Sequence, residues 1–294
     1  MSIEPPSVLL VGASRGIGRA TATHLAERGL RVFAGARKPE DVAKLSASSP
    51  PLEGVLIDVT DDHSIEAARA EIEASLAGAG LCGLVYCAAA SPGSQGSGRP
   101  MEHVTREILR HLFEVNTFGM ALTVSAFMPL LRKARGRVVN VGGGGSAIMA
   151  LPLMGAGSAS KFAVEAMSDA LRLELRRAGV HVSLVEPGMT YRDADRDAFR
   201  REMNADLDAV RASIPESNRS YYVAVIENQR RFLEGWLARA APPEKVSRRI
   251  HHALTSRRPR TRYWCGWESK AAVLISRLST GRMRDALWGR IVGL

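Results

Sequence analysis

Short apolar runs alternate with amphipathic segments along the first 190 residues of this 294-residue chain. A short apolar run predicts a buried strand, and apolar residues spaced three or four apart predict a helix. Strands that alternate with helices build a doubly wound parallel sheet, so an α/β fold is predicted. The predicted strands are Val8–Val11, Leu30–Ala34, Val55–Val59, Leu84–Ala88, Arg137–Val141 and Val180–Val185. The predicted helices are Gly16–Arg28, Ile65–Leu76, Val104–Arg132 (one helix or two) and Ser158–Arg177.

A glycine-rich turn joins the first predicted strand to the first predicted helix. Glycines there allow a tight turn and let backbone N–H groups approach a pyrophosphate at the helix N-terminus. The position of the turn between a strand and a helix near the start of the chain is the context that a dinucleotide site requires. The residues predicted to bind the cofactor here are Gly12, Ser14, Arg15, Gly16, Ile17 and Gly18.

The charged residues near the second predicted strand indicate which dinucleotide is bound, NAD or NADP. An NAD site usually places an acidic residue near the end of this strand to hold the ribose hydroxyls. No Asp or Glu occupies Arg31–Lys38, whereas Arg37 follows the strand and Arg15 lies in the glycine-rich turn. Guanidinium groups suit a 2′-phosphate because they form paired, charge-assisted hydrogen bonds. The sequence therefore predicts NADP rather than NAD.

The pattern changes after Pro187-Gly188, where charged residues become frequent. We expect residues 1–190 to form a Rossmann NADP-binding core. Residues 191–294 are expected to form a substrate lid and a helical C-terminal extension of the same domain. Within this extension we predict helices over 217–255, with one beginning at Pro242-Pro243-Glu244, a last strand at Arg262–Cys265, and two short amphipathic helices over 268–294.

Composition restricts the class of protein. A hydrophobic fraction of 46% and a charged fraction of 24% are typical of a soluble globular protein. The three cysteines lack metal-ligand spacing, so no metal site is expected. No run of about 18 apolar residues and no secretory pattern are present, so we expect a cytoplasmic protein without an integral membrane span. The net charge of +10 is scattered and not interleaved with aromatic residues, which argues against nucleic-acid binding.

In order along about residues 7–190, the motifs resemble those of the short-chain dehydrogenase/reductase family. The glycine-rich turn resembles its TGxxxGIG motif, and Ser158-Ala159-Ser160-Lys161 resembles the stretch that holds its catalytic lysine. The tail, Arg258–Tyr263 with Gly266, resembles the retinol- and 17β-hydroxysteroid-dehydrogenase-like branch. The resemblance implies further cofactor-binding residues: Asp58 and Val59 at the adenine, Ala88 and Ala89 after a strand, Asn116, Lys161, and Pro187 and Gly188 beside the nicotinamide.

The departures from this family pattern fall at the nicotinamide end. Gly157 stands where the family has its catalytic tyrosine, and Gly143 or Gly144 stands where it has its catalytic serine. Arg192 replaces a threonine that often follows the Pro-Gly turn. A positioned proton donor typically contributes about 10²–10⁴ in rate, and an oxyanion donor about 10²–10³. Ordinary carbonyl reduction therefore needs a substitute group.

Four residues are the candidates for catalysis at this altered site. Lys161 is a potential desolvated amine, and Asn116 matches the helix asparagine that positions it. Ser146 follows the missing serine by two or three residues, and Tyr191 lies just beyond the Pro-Gly turn. Each also has an ordinary structural explanation: Ser146 as a polar loop residue, Tyr191 in packing, and Lys161 as a ligand of the ribose hydroxyls.

Three functions stay open at this point. The first is an atypical NADP(H)-dependent oxidoreductase of specialised metabolism acting on a bulky small molecule, since two glycines enlarge the pocket. The second is a non-redox cyclase, isomerase or lyase on the same fold. The third is a catalytically silent cofactor-binding protein. As partners we expect a homodimer or homotetramer, and an acidic carrier protein is an alternative use of the basic charge.

Overall fold

A seven-stranded parallel sheet is the centre of the fold, with the strand order β3-β2-β1-β4-β5-β6-β7. The coordinates are a computed structural model that describes residues 5–90, 98–143, 150–191, 195–265, 273 and 278–292. This order confirms the predicted doubly wound α/β fold. The strands are β1 (Ser7–Val11), β2 (Arg31–Ala36), β3 (Glu53–Leu56), β4 (Gly83–Tyr86), β5 (Arg137–Val141), β6 (His181–Pro187) and β7 (Arg262–Cys265).

Helices cover both faces of this sheet. In the described part they are α1 (Gly16–Glu27), α2 (Pro39–Ser46), α3 (Asp62–Ser75), α4 (Arg106–Phe113), α5 (Gly119–Ala134), α6 (Gly155–Glu174), α7 (Arg196–Ser213), α8 (Glu216–Leu237), α9 (Glu244–Thr255) and α10 (Gly281–Val292). Short 3₁₀ turns span Met101–His103 and Leu175–Ala178, and a π-helical turn spans Glu114–Phe118.

Two apolar layers hold the helices to the sheet. One layer packs α3, α5 and α6 against one face and includes Phe127, Met120 and Leu184. The other packs α1, α2 and α9 against the opposite face and includes Leu25 and Ile250. The strands are therefore buried on both sides, which is why they read in the sequence as continuous apolar runs.

The chain reverses its direction of winding at β1, which pairs with β2 on one side and with β4 on the other. In open parallel sheets this reversal creates a crevice at the carboxyl ends of the strands, where ligands bind. The glycine-rich turn follows β1, so the fold places it at the edge of this crevice.

Two helices were absent from the sequence prediction. The α2 helix begins directly after Lys38, and its proline at the first position is compatible with a helix start. The α7 helix lies in the charge-rich segment after the Pro-Gly turn, where acidic and basic residues mask three buried apolar positions, Met203, Leu207 and Val210.

Several boundaries also differ from the prediction. The third strand ends at Leu56, so Asp58 and Val59 follow the strand instead of ending it. The predicted helix over Val104–Arg132 is interrupted by the π-helical turn, which commonly marks a functional position. The predicted strand at Arg262–Cys265 and the helix after Pro243 are confirmed. Of the two predicted tail helices, the second corresponds to α10, and the first lies mostly outside the described residues.

One segment meets the length and composition criteria for a membrane span, which the prediction from apolar runs did not find. It covers Arg106–Ala134, with a mean hydropathy of 1.2 in its most apolar window. In the structure 56% of that window is buried, and α5 packs against α3 and the sheet. This burial is typical of a core helix, so the criteria alone are weak support for a span.

The helices α7 and α8 form a hairpin over the crevice edge, which we call the lid. Its small apolar core includes Leu207, Val210 and Ile226, and it packs on Leu153 just before α6. Leu153 adopts a φ of 63°, a backbone conformation that leucine rarely takes. At the base of the lid, Thr190 pairs with Ala241 in an isolated bridge that brings the two ends of the hairpin together.

Candidate active site

The glycine-rich turn exposes its backbone at the start of α1. Gly12 has a φ of 86°, and a Cβ there would lie 2.6 Å from the backbone nitrogen of Ala88. A Cβ on Gly18 would lie 1.9 Å from the carbonyl oxygen of Gly12, so strand end and helix start are in direct contact. Gly16 has open space around it, and no side chain caps the helix N-terminus. Free amides beside open space are what an anionic phosphate needs.

A cavity of about 250 Å³ lies beside this turn. Tyr191 lines it, with its ring against Phe199 of the lid at a centroid distance of 3.9 Å. Burial raises the pKa of this phenol, and Arg15 opposes the shift. These contacts place Tyr191 at the phosphate end of the crevice. The other lining residues are Arg15, Gly16, Arg19, Thr190, Asp195 and Pro243.

The residues predicted at the adenosine end lie at the ends of β2 and β3. Arg37 directly follows β2, is exposed, and makes no ion pair within the described part of the chain. Lys38 lies 3.8 Å from the Glu40 carboxylate. The Asp58 carboxylate accepts hydrogen bonds from the backbone and the hydroxyl of Thr60, at 2.9 and 2.8 Å. The exposed guanidinium is consistent with binding of a 2′-phosphate.

Asn116 lies in the π-helical turn and is only 1% exposed. Its Oδ1 accepts a hydrogen bond from the backbone nitrogen of Ala90 at 2.8 Å, and its Nδ2 donates to Ser160 Oγ at 2.9 Å. The Ser160 hydroxyl in turn donates to the Gly157 carbonyl at 2.7 Å. Asn116 therefore ties the segment after β4 to the first turns of α6. The sequence prediction named Asn116 but missed the buried Ser160.

Lys161 lies on α6 one turn after Gly157, as the sequence spacing predicts. Its Nζ donates a hydrogen bond to the carbonyl oxygen of Val141, at the end of β5, over 3.1 Å. Burial lowers the pKa of Lys161 to about 8, while Glu186 and Cys87 act in the opposite direction. An amine with such a pKa exchanges protons near neutral pH.

Glu186 is a buried carboxyl that the sequence analysis did not single out. It is 0% exposed and lies at the end of β6. A Cβ on Gly142 would lie 2.5 Å from its Oε1, so the carboxyl occupies the space above that glycine. Burial raises the pKa of Glu186 well above its usual range. The neighbouring Glu165 adds to this shift, and Lys161, Arg262 and the Gly143 amide oppose it.

The structure places the other predicted residues as follows. Ala88 and Ala89 follow β4, and Pro187 ends β6 next to Gly188, all at the carboxyl edge of the sheet. Gly143 also lies at this edge, two residues after β5. Ser146, Gly144 and Arg192 lie outside the described residues.

These observations fit a dinucleotide bound across the crevice. The uncapped start of α1 and the open space at Gly16 suit the pyrophosphate, and Lys161 with the Pro187-Gly188 turn lies at the other end. A parallel sheet with this winding and a glycine-rich turn after β1 is characteristic of proteins that bind a dinucleotide. The family model described as short chain dehydrogenase matches residues 6–203, and the chain belongs to that family.

Curated relatives align along nearly the whole chain. Retinol dehydrogenase 5 of Homo sapiens is 34% identical over 287 residues, which cover 95% of this chain and 86% of the relative. The 17-beta-hydroxysteroid dehydrogenase type 6 of Bos taurus is 35% identical, covering 91% of this chain and 83% of the relative. The uncharacterized oxidoreductase YbbO of Escherichia coli is 33% identical, covering 96% and 93%.

Solved structures share the fold. A short-chain dehydrogenase from Streptomyces avermitilis superposes with a TM-score of 0.71 at 24% identity, covering 99% of this chain and 98% of the other. A short chain dehydrogenase from Burkholderia cenocepacia, in complex with NADP, superposes with a TM-score of 0.69 at 24% identity and covers 99% of both chains.

Proposed function

We propose that this protein is an NADP(H)-dependent oxidoreductase that interconverts a bulky apolar alcohol and its carbonyl compound, with Lys161 as the proton donor. The observation that carries the proposal is the state of Lys161. Its amine lies one helical turn from the position of the missing phenol, and burial lowers its pKa to about 8. The ammonium and amine forms are then both accessible near neutral pH, as a proton donor requires.

Cofactor binding in this proposal uses the phosphate end of the crevice. The backbone of the glycine-rich turn binds the pyrophosphate, and Arg15 and Arg37 hold the 2′-phosphate. NADPH, when bound, supplies a hydride to the carbonyl carbon of the substrate. Lys161 donates its proton to the carbonyl oxygen, and Asn116 keeps α6 in place through Ser160.

The proposed substrate class rests on three observations. Glycine at position 157 and at position 143 or 144 leaves room where the family pattern has larger side chains. The lid places an apolar core over the segment before α6. Two relatives are named for retinol and a 17β-hydroxysteroid, which are bulky apolar alcohols. We therefore propose a ring-containing apolar alcohol or ketone.

We also propose a homodimer or homotetramer located in the cytoplasm. Exposed apolar side chains on α5, on α6 and in the π-helical turn support self-association: Phe118, Leu122 and Phe162 are 45%, 45% and 43% exposed. Such side chains on adjacent helices commonly form interfaces. An acidic carrier protein is the alternative partner for this basic chain.

The test is incubation with NADPH and a panel of bulky ketones, followed by nicotinamide absorbance and mass spectrometry of the products. The proposal predicts NADPH consumption and a product with two more hydrogens. Lys161→Met should reduce both by about 10²–10⁴, whereas Lys133→Met, which changes an exposed lysine on α5, should change neither.

Two outcomes would contradict the proposal. A product of unchanged mass without NADPH consumption would identify a non-redox enzyme. Tight NADPH binding without any product would indicate a cofactor-binding protein.

A further inference from the structure

Glu186 is a buried carboxyl that the proposed reaction does not use. Because strand side chains alternate between the two faces of a sheet, it lies on the same face as Val182 and Leu184. Those two side chains belong to the apolar layer that includes α6. Neither carboxylate oxygen has a side-chain hydrogen-bond partner within the described residues, and the backbone amide of Gly143 acts on the carboxyl. A buried carboxyl without such a partner is costly and calls for a reason.

The paired strands β5 and β6 bring this carboxyl next to the anchor of Lys161. Val141 lies opposite Val185, and the Gly142 nitrogen donates to the Val185 carbonyl at 2.9 Å. Lys161 is bound to the carbonyl of Val141, one residue before Gly142. The carbonyl that binds Lys161, on Val141, and the carboxyl of Glu186 therefore belong to adjacent positions of the β5–β6 pair.

Gly142 is the residue that makes room for the carboxyl. A Cβ at this position would lie 2.5 Å from Oε1 and 2.7 Å from Oε2 of Glu186. Side-chain atoms do not approach this closely, so any larger residue at 142 would displace the carboxyl. Gly142 is therefore needed to leave space for the Glu186 carboxyl, and not for an unusual backbone conformation.

The other charged neighbours of Glu186 are already engaged. Arg262 on β7 pairs with Asp169 at 2.8 Å and with Glu165 at 3.6 Å, both on α6. Lys161 precedes Glu165 by one turn on the same helix face, and it acts on Glu186 together with Arg262. Two thiols complete the titratable surroundings, and burial raises the pKa of Cys87 to about 12 and of Cys265 to about 11.

We propose that Glu186 is a positioning residue for Lys161, and that its carboxylate, located above Gly142, favours the ammonium form of the lysine. When Lys161 gives its proton to the carbonyl oxygen, it becomes a neutral amine near the Glu186 carboxylate. The amine then regains one proton from water, and the negative charge of the carboxylate favours this return. This inference rests on the role proposed for Lys161, but the effect of the carboxylate on the lysine is measurable without turnover.

The experiment uses NMR titration of the full chain labelled with ¹³C-lysine. The sequence contains only six lysines, and Lys161→Met assigns the Lys161 signal. In the wild type the signal should titrate near pH 8. Glu186→Gln should lower this midpoint by about one pH unit, because the ammonium loses its anionic neighbour. Gly142→Ala should lower it less, since it displaces the carboxyl without removing it.

Two further variants separate a charge effect from a structural one. Glu186→Asp retains a carboxyl, so its midpoint should lie between those of the wild type and Glu186→Gln. Glu174→Gln makes the same chemical change at an exposed position of α6 and should leave the Lys161 midpoint unchanged.

An unchanged Lys161 midpoint in folded Glu186→Gln protein would overturn the inference. The Lys161 midpoint of the wild type tests the proposed function separately. If wild-type Lys161 titrates like an ordinary lysine and Glu186→Gln still lowers its midpoint, the effect of the carboxylate is supported and the proton-donor role is overturned.

Discussion

The phosphate end and the nicotinamide end of the crevice are built from different parts of the chain. The phosphate end uses glycines and backbone amides, and a side chain at Gly12 or Gly18 would collide with backbone atoms. At the nicotinamide end the family pattern depends on side chains, and in this chain glycine stands at position 157 and at the expected serine position, 143 or 144. A site built from backbone amides is lost when substitutions disrupt the turn. A site built from side chains can lose its reactive groups while the fold stays the same.

Under the proposed function, the comparison also explains how a family member keeps its cofactor site while its chemistry changes. Lys161 is held by the carbonyl of Val141, and Asn116 is held by Ala90 and Ser160. None of these contacts uses a side chain at position 157. The contacts that hold Lys161 are therefore independent of whether residue 157 is a tyrosine.

A loss of cofactor affinity is expected at the phosphate end. Gly18→Ala would place a Cβ 1.9 Å from the Gly12 carbonyl, so the turn must open. We expect NADPH affinity to fall by about 100-fold or more, measured by calorimetric titration. Gly235→Ala, at a helical glycine of α8 with open space around it, is the matched control and should bind normally. Unchanged affinity in Gly18→Ala would show that the turn does not bind the cofactor.

At the nicotinamide end, Lys161→Met should reduce turnover by about 10²–10⁴, because it removes the proton donor. Steady-state rates with any ketone that the wild type reduces would measure this. Turnover at the wild-type rate in the variant would show that another group is the proton donor.

The same variant should be more stable than the wild type at pH 7. The folded pKa of Lys161 is about 8, below the unfolded value, so the folded state binds fewer protons between these pKa values. The cost of the buried ammonium is complete below about pH 8 and disappears as the pH rises toward about 10.5. Lys161→Met should therefore gain about 1–3 kcal/mol at pH 7, and the gain should shrink at higher pH. Urea unfolding at several pH values measures this gain. A gain that stays constant with pH would contradict the prediction.

The nucleotide preference should depend on Arg37. Arg37→Ala is expected to weaken NADP binding by about tenfold and to leave NAD binding unchanged, because only NADP carries the 2′-phosphate. Arg28→Ala, at another exposed arginine, is the control. Equal losses for both dinucleotides, or tighter binding of NAD by the wild type, would refute the assignment.

Gly157→Tyr should have the smallest effect. Restoring the phenol alone leaves glycine at the expected serine position, 143 or 144, so we expect less than about a tenfold change in ketone reduction. A large gain in the same assay would show that the site is one residue from the ordinary mechanism.

Most of the fold was predictable because buried parallel strands are continuous apolar runs. The glycine-rich turn and the spacing of Gly157 and Lys161 were predictable because they are local in sequence. The surroundings of Glu186 were not, since they arise where β5, β6, β7 and α6 meet. The position of Tyr191 beside the glycine-rich turn depends on the path of the lid, so it also could not be predicted from the sequence.

The most direct test of the separation between the two ends compares NADPH binding and NADPH oxidation in Lys161→Met. With saturating NADPH and a ketone that the wild type reduces, the account predicts that the variant stays loaded with NADPH and oxidises it at a small fraction of the wild-type rate. Oxidation at the wild-type rate would contradict the account, because the chemistry would then not depend on the lysine.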